Sequence, residues 1–223
     1  MQIRRTANAG VLLTLDNVSI LLDGVCRVYS PYLAPPPAVL EELAACPPDA
    51  LIYSHAHPDH FETGFAANFW QRTGRPILGT EGVVEQLPGI PVEQGTAVIG
   101  GVRVTPVRSR HLGVEWRTYP HVSYLLEGSK RVFFIGDATP ACWKDGVSRL
   151  QPDVLIAPFP YVTTRLGWQS VERFAPKALV VVHMPGEDHD PDRTWPAVRA
   201  ALEQQKGIPV WIPGLGETIC IPQ

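Results

Sequence analysis

The chain has 223 residues, of which 45% are hydrophobic, and a formal net charge of −3. This length and composition suffice for one sizeable core, so we expect a single domain over residues 1–223. The charge offers no electrostatic signature for nucleic-acid binding, and no apolar run suggests a signal peptide or a membrane span. The four cysteines lack a CxxC spacing, which argues against a disulfide framework and favours a cytoplasmic protein with reduced thiols.

Short apolar runs alternate with helical patterns along the chain. Asp16-Asn17 separates two such runs and predicts a hairpin, while the prolines at 35–37 suit the first turn of a helix. Thr63 and Thr80 are predicted N-caps of the second and third helices. The predicted strands cover residues 9–15, 18–22, 50–53, 102–107, 122–127, 131–136, 154–157 and 178–182. The predicted helices cover residues 38–46, 64–71, 81–87 and 194–205.

The segment Ser54-His55-Ala56-His57-Pro58-Asp59-His60 carries the most chemical information. It holds three of the seven histidines and follows the predicted strand at 50–53. Neutral imidazoles and a carboxylate bind divalent metals, and one such loop can serve two ions. The alternative is a surface loop that happens to be rich in histidine. The position directly after an apolar strand favours the metal site.

Other metal-binding residue types follow later predicted strands. Asp137 follows the apolar run at 132–136, and His183 follows the run at 178–182. His111 comes a short turn after the strand at 102–107. Ligands collect at the carboxyl ends of strands in sheets covered by helices, so we expect these side chains to share one crevice.

These residues resemble the metal ligands of the metallo-β-lactamase superfamily, particularly its short single-domain metal-dependent hydrolases. The resemblance spans nearly the whole chain and implies an α/β fold with four αββα layers, in which the site lies along one sheet edge. The turn Leu22-Asp23-Gly24 resembles the first motif, whose Asp supports the site. The HxHxDH run and the later ligand positions of the superfamily are matched in order by His55, His57, Asp59, His60, His111, Asp137 and His183.

The resemblance also implies how two divalent ions are held. His55, His57 and His111 would hold the first ion, and Asp59, His60 and His183 the second, with Asp137 bridging. Asp59, His60 and Asp137 thereby belong to the expected catalytic centre. Two such ions lower the pKa of a shared water and present a bridging hydroxide to the substrate. Zinc suits these ligands best, with manganese and iron as alternatives.

The expected activity is hydrolysis of a small ester, lactone or phosphoester. The chain resembles the lactonase-like branch, close to the ascorbate-6-phosphate lactonase type. Flavodiiron redox relatives carry Glu at the position of His57, so His57 favours hydrolysis. The alternatives are a phosphodiesterase acting on nucleotides or nucleic acid, a mononuclear iron oxygenase resembling persulfide dioxygenases, and a non-catalytic metal-dependent binding module. The number and type of bound metal ions separate the iron oxygenase from the two hydrolytic alternatives.

Three further residues are candidate substrate contacts. His121 opens a predicted strand, Tyr161 follows a Pro-Phe-Pro segment, and Arg110 precedes His111. A packed histidine, a core aromatic residue and a surface ion pair are the respective alternatives. The expected partner is a small molecule rather than nucleic acid or a membrane, and its identity depends on the loops at 26–36 and 111–121.

Overall fold

The computed structural model describes residues 1–114, 118–143, 149–205 and 207–222. Within this part of the chain, fourteen strands form two seven-stranded sheets. The strands are β1 (Gln2–Arg5), β2 (Val11–Leu15), β3 (Val18–Leu22), β4 (Ala50–Ile52), β5 (Ile77–Leu78), β6 (Val92–Glu93), β7 (Ala97–Ile99), β8 (Val102–Arg108), β9 (Val122–Glu127), β10 (Arg131–Phe134), β11 (Val154–Pro158), β12 (Ala178–Val182), β13 (Val210–Trp211) and β14 (Thr218–Cys220).

The first sheet has the order β14-β1-β2-β3-β4-β5-β6, and the second has the order β13-β12-β11-β10-β9-β8-β7. Each sheet is antiparallel in one half and parallel in the other. Antiparallel pairing links β14, β1, β2 and β3 in the first sheet, and β7 to β10 in the second. The remaining neighbours run parallel. Parallel neighbours bring the carboxyl ends of successive strands to one edge of each sheet.

The described helices are α1 (Pro37–Ala45), α2 (Thr63–Thr73), α3 (Glu81–Gln86), α4 (Pro160–Thr163), α5 (Arg165–Phe174) and α6 (Thr194–Gln204), with a 3-10 helix at Pro140–Cys142. The predicted cap of α2 is wrong by one residue. Glu62 precedes the helix, and its carboxylate accepts the backbone N–H of Phe65. Thr80 does precede α3, but its side chain makes no capping hydrogen bond.

The buried side chains form three layers of apolar packing. One cluster draws on both sheets, with Leu13 and Ile20 from the first and Leu126 and Ile156 from the second, so it fills the space between them. A second packs α5 and α6 on the outer face of the second sheet. The third packs α1, α2 and α3 on the outer face of the first. The predicted αββα sandwich is therefore correct.

Several short elements escape the sequence patterns, among them β1, β5, β7 and β14. The strands β5 and β6 have only two residues each, which is too short for a periodic signal. None of the helices in the described ranges combines the length and the hydropathy that crossing a bilayer requires.

Candidate metal centre

The seven candidate ligands come from four strand ends, and both sheets contribute. His55, His57, Asp59 and His60 lie on the loop after β4 in the first sheet. The remaining three come after strands of the second sheet: His111 after β8, Asp137 after β10 and His183 after β12. The site therefore lies at the edge of the sandwich, where the two sheets meet, and not on one sheet alone.

The candidate ligands form two groups, and the ligand atoms within each group lie within 4.8 Å of one another. One group contains His55, His57 and His111, with 3.2 Å between the Nε2 atoms of His55 and His111. The other contains Asp59, His60 and His183, with 3.3 Å from the His183 Nε2 to the Asp59 Oδ2. A third group of the same kind links them, because it joins His55 and His60 with Asp23.

Asp137 lies between these groups. Its Oδ2 is 3.2 Å from the Nε2 of His183 and 3.4 Å from the Nε2 of His60. The same oxygen is 3.8 Å from the Nε2 of His111 in the other group. One carboxylate is thus within reach of ligand atoms on both sides.

The unused polar atoms of this cluster fit a metal site. The Nε2 atoms of His60 and His183 and the Oδ1 of Asp137 are buried, and they make no hydrogen bond of regular geometry with any described residue. Burying such atoms is costly unless a proton or a cation lies between the imidazole nitrogens and the carboxylate oxygens. Imidazole nitrogens and carboxylate oxygens are the donors that zinc, manganese and iron bind.

In each of three histidines, a hydrogen bond at Nδ1 leaves the Nε2 atom to face the centre. The His60 Nδ1 lies 2.9 Å from the Asp23 Oδ2, and the His55 Nδ1 lies 2.9 Å from the Ser54 Oγ. The His111 Nδ1 donates to the carbonyl of Leu112. Because the Nδ1 atoms carry the protons, the Nε2 lone pairs point to the cluster, as in metal-bound histidines.

Asp23 anchors this arrangement from beneath the loop. Its side chain is fully buried and accepts from the backbone N–H of Ser54 at 2.7 Å, from the Ser54 hydroxyl, and from His60. The Ser54 hydroxyl in turn accepts from His55, so one carboxylate orients a histidine of each group. A hydrogen-bonded carboxylate of this kind fixes ring orientation and raises ligand basicity.

Two buried residues that the sequence patterns did not single out support the second group. The Asn8 side chain donates to the Asp59 Oδ2 at 3.1 Å, and the Asn8 carbonyl accepts the backbone N–H of His183 at 3.1 Å. This bond holds His183 in its left-handed conformation, at φ 61°. The Arg5 guanidinium donates to the carbonyls of Asn8 and Met184, at 3.2 and 2.6 Å.

His121 is a structural neighbour of the centre, and its contact with substrate stays a prediction. Its Nε2 accepts the backbone N–H of Asp137 at 3.0 Å, so its Nδ1 carries the proton and donates to the Ser109 hydroxyl at 2.7 Å. Both ring nitrogens are therefore used within the protein, and only 7% of the residue is exposed. Burial, despite the charge of Asp137, lowers the pKa of His121 to about 3, so the ring is neutral at pH 7.

Two histidines of the first group, His55 and His57, are held in the neutral form. Burial, reinforced by the neighbouring His60 and His121, lowers the pKa of His55 well below its usual value. Burial and the nearby His111 lower the pKa of His57 to about 4. Neutral imidazoles have the lone pairs that a metal ion requires.

In the second group, two nearby carboxylates raise the pKa values of the histidines instead of lowering them. Burial opposes protonation of His183, but Asp137 and Asp59 outweigh it and raise its pKa to about 9. Burial likewise opposes the charge on His60, whose pKa Asp137 raises well above the usual value. Burial opposes ionisation of Asp137, yet His183 and His60 hold its pKa well below the usual value. A divalent cation here would replace these protons as the positive partner of the carboxylates.

A cleft of about 210 Å³ opens onto the cluster. His111, Asp137 and His183 form its polar end. The rest of its lining comes from Tyr32, Leu112, Gly113, Pro158, Phe159 and Pro160.

The other two expected substrate contacts lie outside this lining. Tyr161 is 1% exposed, and its hydroxyl donates to the Ala138 carbonyl and accepts from the Trp143 indole N–H. The ring and the hydroxyl are both used in the core, and a contact of Tyr161 with substrate stays a prediction. Arg110 is exposed beside His111, and its contact with substrate stays a prediction. Part of the loop at 111–121, residues 115–117, lies outside the described residues.

The sandwich and the cluster at its edge define the metallo-β-lactamase fold. The sequence profile of the beta-lactamase superfamily domain matches residues 19–188, and the chain belongs to this family. No curated protein matches the chain significantly.

Solved structures share the fold over nearly the whole chain. A possible metal-dependent hydrolase from Veillonella parvula superposes with a TM-score of 0.77 at 19% identity, covering 99% of both chains. The isothiocyanate hydrolase from Delia radicum gut bacteria gives 0.71 at 17% identity, again with 99% of both chains covered. CmlA, a diiron beta-hydroxylase from Streptomyces venezuelae, gives 0.68 at 15% identity and covers 99% of this chain but 54% of its own.

The expected class, a metal-dependent hydrolase of this superfamily, agrees with the family and with the names of the first two neighbours. The third neighbour demonstrates that the same fold also supports oxidative chemistry on two iron ions. Fold alone therefore does not identify the reaction, and the site has to supply the argument.

Proposed function

We propose that the protein is a dinuclear metal-dependent hydrolase of a small ester, lactone or phosphoester, with zinc as the favoured metal. The first ion would be held by His55, His57 and His111. The second would be held by Asp59, His60 and His183. The lactonase-like branch and a cytoplasmic location are part of this proposal.

The observation that carries the proposal is the position of the Asp137 carboxylate. Its Oδ2 lies within 3.8 Å of imidazole nitrogens from both groups. A single mononuclear site would need only one of these groups. A carboxylate between two ligand triads is the arrangement that a metal pair requires.

The chain itself contributes orientation and charge. Asp23 and Ser54 hold the rings of His60 and His55, and Asn8 fixes one oxygen of Asp59. A bound metal pair would supply an acidified water and a Lewis acid for the scissile bond. The core packing of the two sheets keeps these donors in place before substrate arrives, which is the preorganisation that catalysis needs.

The phosphodiesterase alternative would gain support from a basic groove beside the cluster. The described lining of the cleft contains neither Lys nor Arg. Hydrolysis of a small substrate is therefore the favoured candidate. The iron oxygenase alternative differs in metal content, since it predicts one iron per chain.

The test is metal content per chain in freshly purified protein, measured by plasma mass spectrometry. We expect close to two zinc or manganese ions in the wild type, with hydrolysis of screened esters, lactones and phosphoesters. A single iron per chain would contradict the proposal. Two irons would redirect it to oxidative chemistry.

The Asp137→Ala substitution tests the bridging assignment. We expect fewer than two bound ions and loss of hydrolysis, because the substitution removes the carboxylate that lies between the two groups. Asp16→Ala is the control, since Asp16 is an exposed residue on the β2–β3 turn. Full activity and two bound ions in Asp137→Ala protein would contradict the assignment.

A further inference from the structure

We infer that Tyr119 covers the first ion site and holds His57, and with it the first ion, in place. Tyr119 acts through His57 and is therefore a positioning residue. The inference rests on the proposed function, because it concerns the first of the two proposed ions. Neither the metal-binding motif nor the strand pattern of the sequence points to this tyrosine.

His57 is the member of the first group that solvent reaches most easily. His55 and His111 are buried, whereas His57 is only half-buried. A metal ion leaves a site when its ligands detach one at a time and water or a competing ligand takes their places. Release of the first ion is therefore expected to begin at His57.

The Tyr119 ring lies on this imidazole. The centroids of the two rings are 4.1 Å apart and their planes are inclined by 37°, which is a close, tilted contact. The centroid of the same phenol ring is 6.1 Å from that of His55 and 6.2 Å from that of His111. One aromatic ring thus approaches every imidazole of the first group.

The contact joins the two sheets, and the backbone beside it is fixed. His57 follows β4 of the first sheet, whereas Tyr119 lies between β8 and β9 of the second. Two residues after Tyr119, both ring nitrogens of His121 are hydrogen-bonded. The next residue, Val122, donates its backbone N–H to the Ser54 carbonyl at 3.0 Å. The segment that carries Tyr119 is thereby attached to the start of the HxHxDH loop.

A ring in this position stabilises the imidazole in two ways. It opposes rotation of His57 out of the cluster, because rotation would lose the aromatic contact. It also excludes water from one face of the site, and the apolar shell around a metal controls the access of solvent. Both effects depend on the ring of Tyr119 and not on its hydroxyl, so phenylalanine should replace it.

The second group provides a comparison within the same protein. Its three members are all buried. Its aromatic neighbour is Tyr32, whose ring meets the His183 ring edge-on with 4.3 Å between centroids. Loss of the Tyr119 ring should therefore change the release of the first ion and not that of the second.

The first experiment follows the release of zinc from the loaded full chain into an excess of a chelating indicator. His57→Ala protein identifies the phase that belongs to the first ion, since this variant should lose that phase. We expect Tyr119→Ala to release the first ion at least threefold faster than the wild type, with an unchanged rate for the second. Tyr119→Phe should release both ions at the wild-type rates.

Tyr29→Ala is the matched control, because it removes an exposed tyrosine ring from a different loop and should leave both rates unchanged. Circular dichroism checks that each variant is folded. An unchanged first phase in Tyr119→Ala protein would overturn the inference. Equal acceleration of both phases would also overturn it, since that result indicates general loosening. Equally fast release from Tyr119→Phe protein would do the same, because the ring would then not be the cause.

A labelling experiment separates the inference from the proposed function. Diethyl pyrocarbonate modifies accessible neutral imidazoles, and peptide mass spectrometry gives the rate at each histidine of the metal-free full chain. His57 should react at least threefold faster in Tyr119→Ala protein than in the wild type or Tyr119→Phe protein. The exposed His189 is the internal reference, and its rate should be equal in all three proteins.

The two experiments together distinguish the possible failures. Faster labelling of His57 in Tyr119→Ala protein, when the wild type binds no zinc, would refute the proposed metal centre and support the cover by Tyr119. An unchanged labelling rate at His57 would overturn the inference, even in a protein that binds two ions and hydrolyses its substrate.

Discussion

Asp23 is outside the set of expected metal ligands, yet it orients histidines of both groups. Its oxygens accept three hydrogen bonds, from the backbone and hydroxyl of Ser54 and from His60. All three partners are hydrogen-bond donors. A side-chain amide cannot replace the carboxylate, because its nitrogen is a donor and would face one of them. Its backbone, at φ 46°, lies in the left-handed region that Asp and Asn tolerate.

Asp23→Asn should weaken metal binding roughly 10–100-fold, because an amide nitrogen would face the donors of Ser54 or His60. Competition with a chelating indicator measures the affinity. The matched control is Asp16→Asn, in which an exposed Asp at φ 53° also accepts hydrogen bonds from a serine, Ser129. Equal affinities in both variants and the wild type would contradict the role given to Asp23.

Tyr161→Phe should lower the free energy of unfolding by roughly 1–3 kcal/mol. The substitution leaves the Ala138 carbonyl and the Trp143 indole N–H buried without their partner. Urea denaturation measures the effect, and Tyr29→Phe serves as the control because Tyr29 is 55% exposed. A large change in KM without any change in stability would instead support Tyr161 as a substrate contact.

The sequence motif identifies the seven residues that the structure brings together, since metal chemistry restricts each position to a few residue types. Asn8 and Arg5 escape such reasoning. The Arg5 guanidinium donates to backbone carbonyls, and Asn8 accepts the His183 N–H through its own carbonyl. The positions of these carbonyls depend on the fold rather than on residue type. His121 and Tyr161 illustrate the converse, because a polar residue at a strand end can face either the substrate or the protein.

At the scale of elements, the turn after β10 brings the second sheet against the first. Gly136 lies in this turn at φ 59°, just before Asp137. A Cβ atom built at Gly136 would lie 2.6 Å from the Ser54 Cβ and 3.0 Å from the His121 Nε2. The close approach of the two sheets at the site therefore depends on the absence of a side chain here.

Gly136→Ala should destabilise the protein more than Gly74→Ala does. Both residues have a positive φ, at 59° and 61°, but a Cβ at Gly74 meets nothing within 4 Å. The left-handed conformation costs roughly 1–2 kcal/mol in both variants. Overpacking against Ser54 adds roughly 1–3 kcal/mol at Gly136 alone. Thermal unfolding of both variants measures the difference, and equal shifts in Tm would contradict the steric argument.

Helix α5 is an element that the sequence patterns missed. The buried face of α5 consists of Gly167, Ser170, Val171 and Phe174, at helical spacing but with two small or polar members. The helical spacing is present in the sequence, but the predicted elements did not include this helix. Its start is nonetheless encoded, since the Thr164 hydroxyl accepts the backbone N–H of Gly167 at 3.0 Å. The longer central strands were predicted because burial on both faces demands apolar runs.

For the whole molecule, the centre joins two sheets that otherwise meet through apolar packing. The HxHxDH loop belongs to the first sheet, and His111, Asp137 and His183 belong to the second. Any metal ion shared by these residues binds the folded sandwich and has no equivalent site in the unfolded chain.

Removing metal should therefore lower the Tm, and adding it back should restore it. For a free ion at 100 times its Kd, the stabilisation is about 2.7 kcal/mol per site. Differential scanning fluorimetry across a zinc titration of chelator-treated protein measures this effect. The Asp137→Ala variant should respond less steeply. A Tm independent of zinc in the wild type would contradict metal binding by the cluster.

The spacing of the ligands along the chain has a consequence for biogenesis. Asp59 and His60 precede His183 by more than half of the sequence, and the bond from His183 to Asn8 joins the start of the chain to its last ligand. During synthesis from the N-terminus, the second group cannot be completed until His183 has left the ribosome. Loading with the full complement of metal is consequently a maturation step that follows the translation of His183.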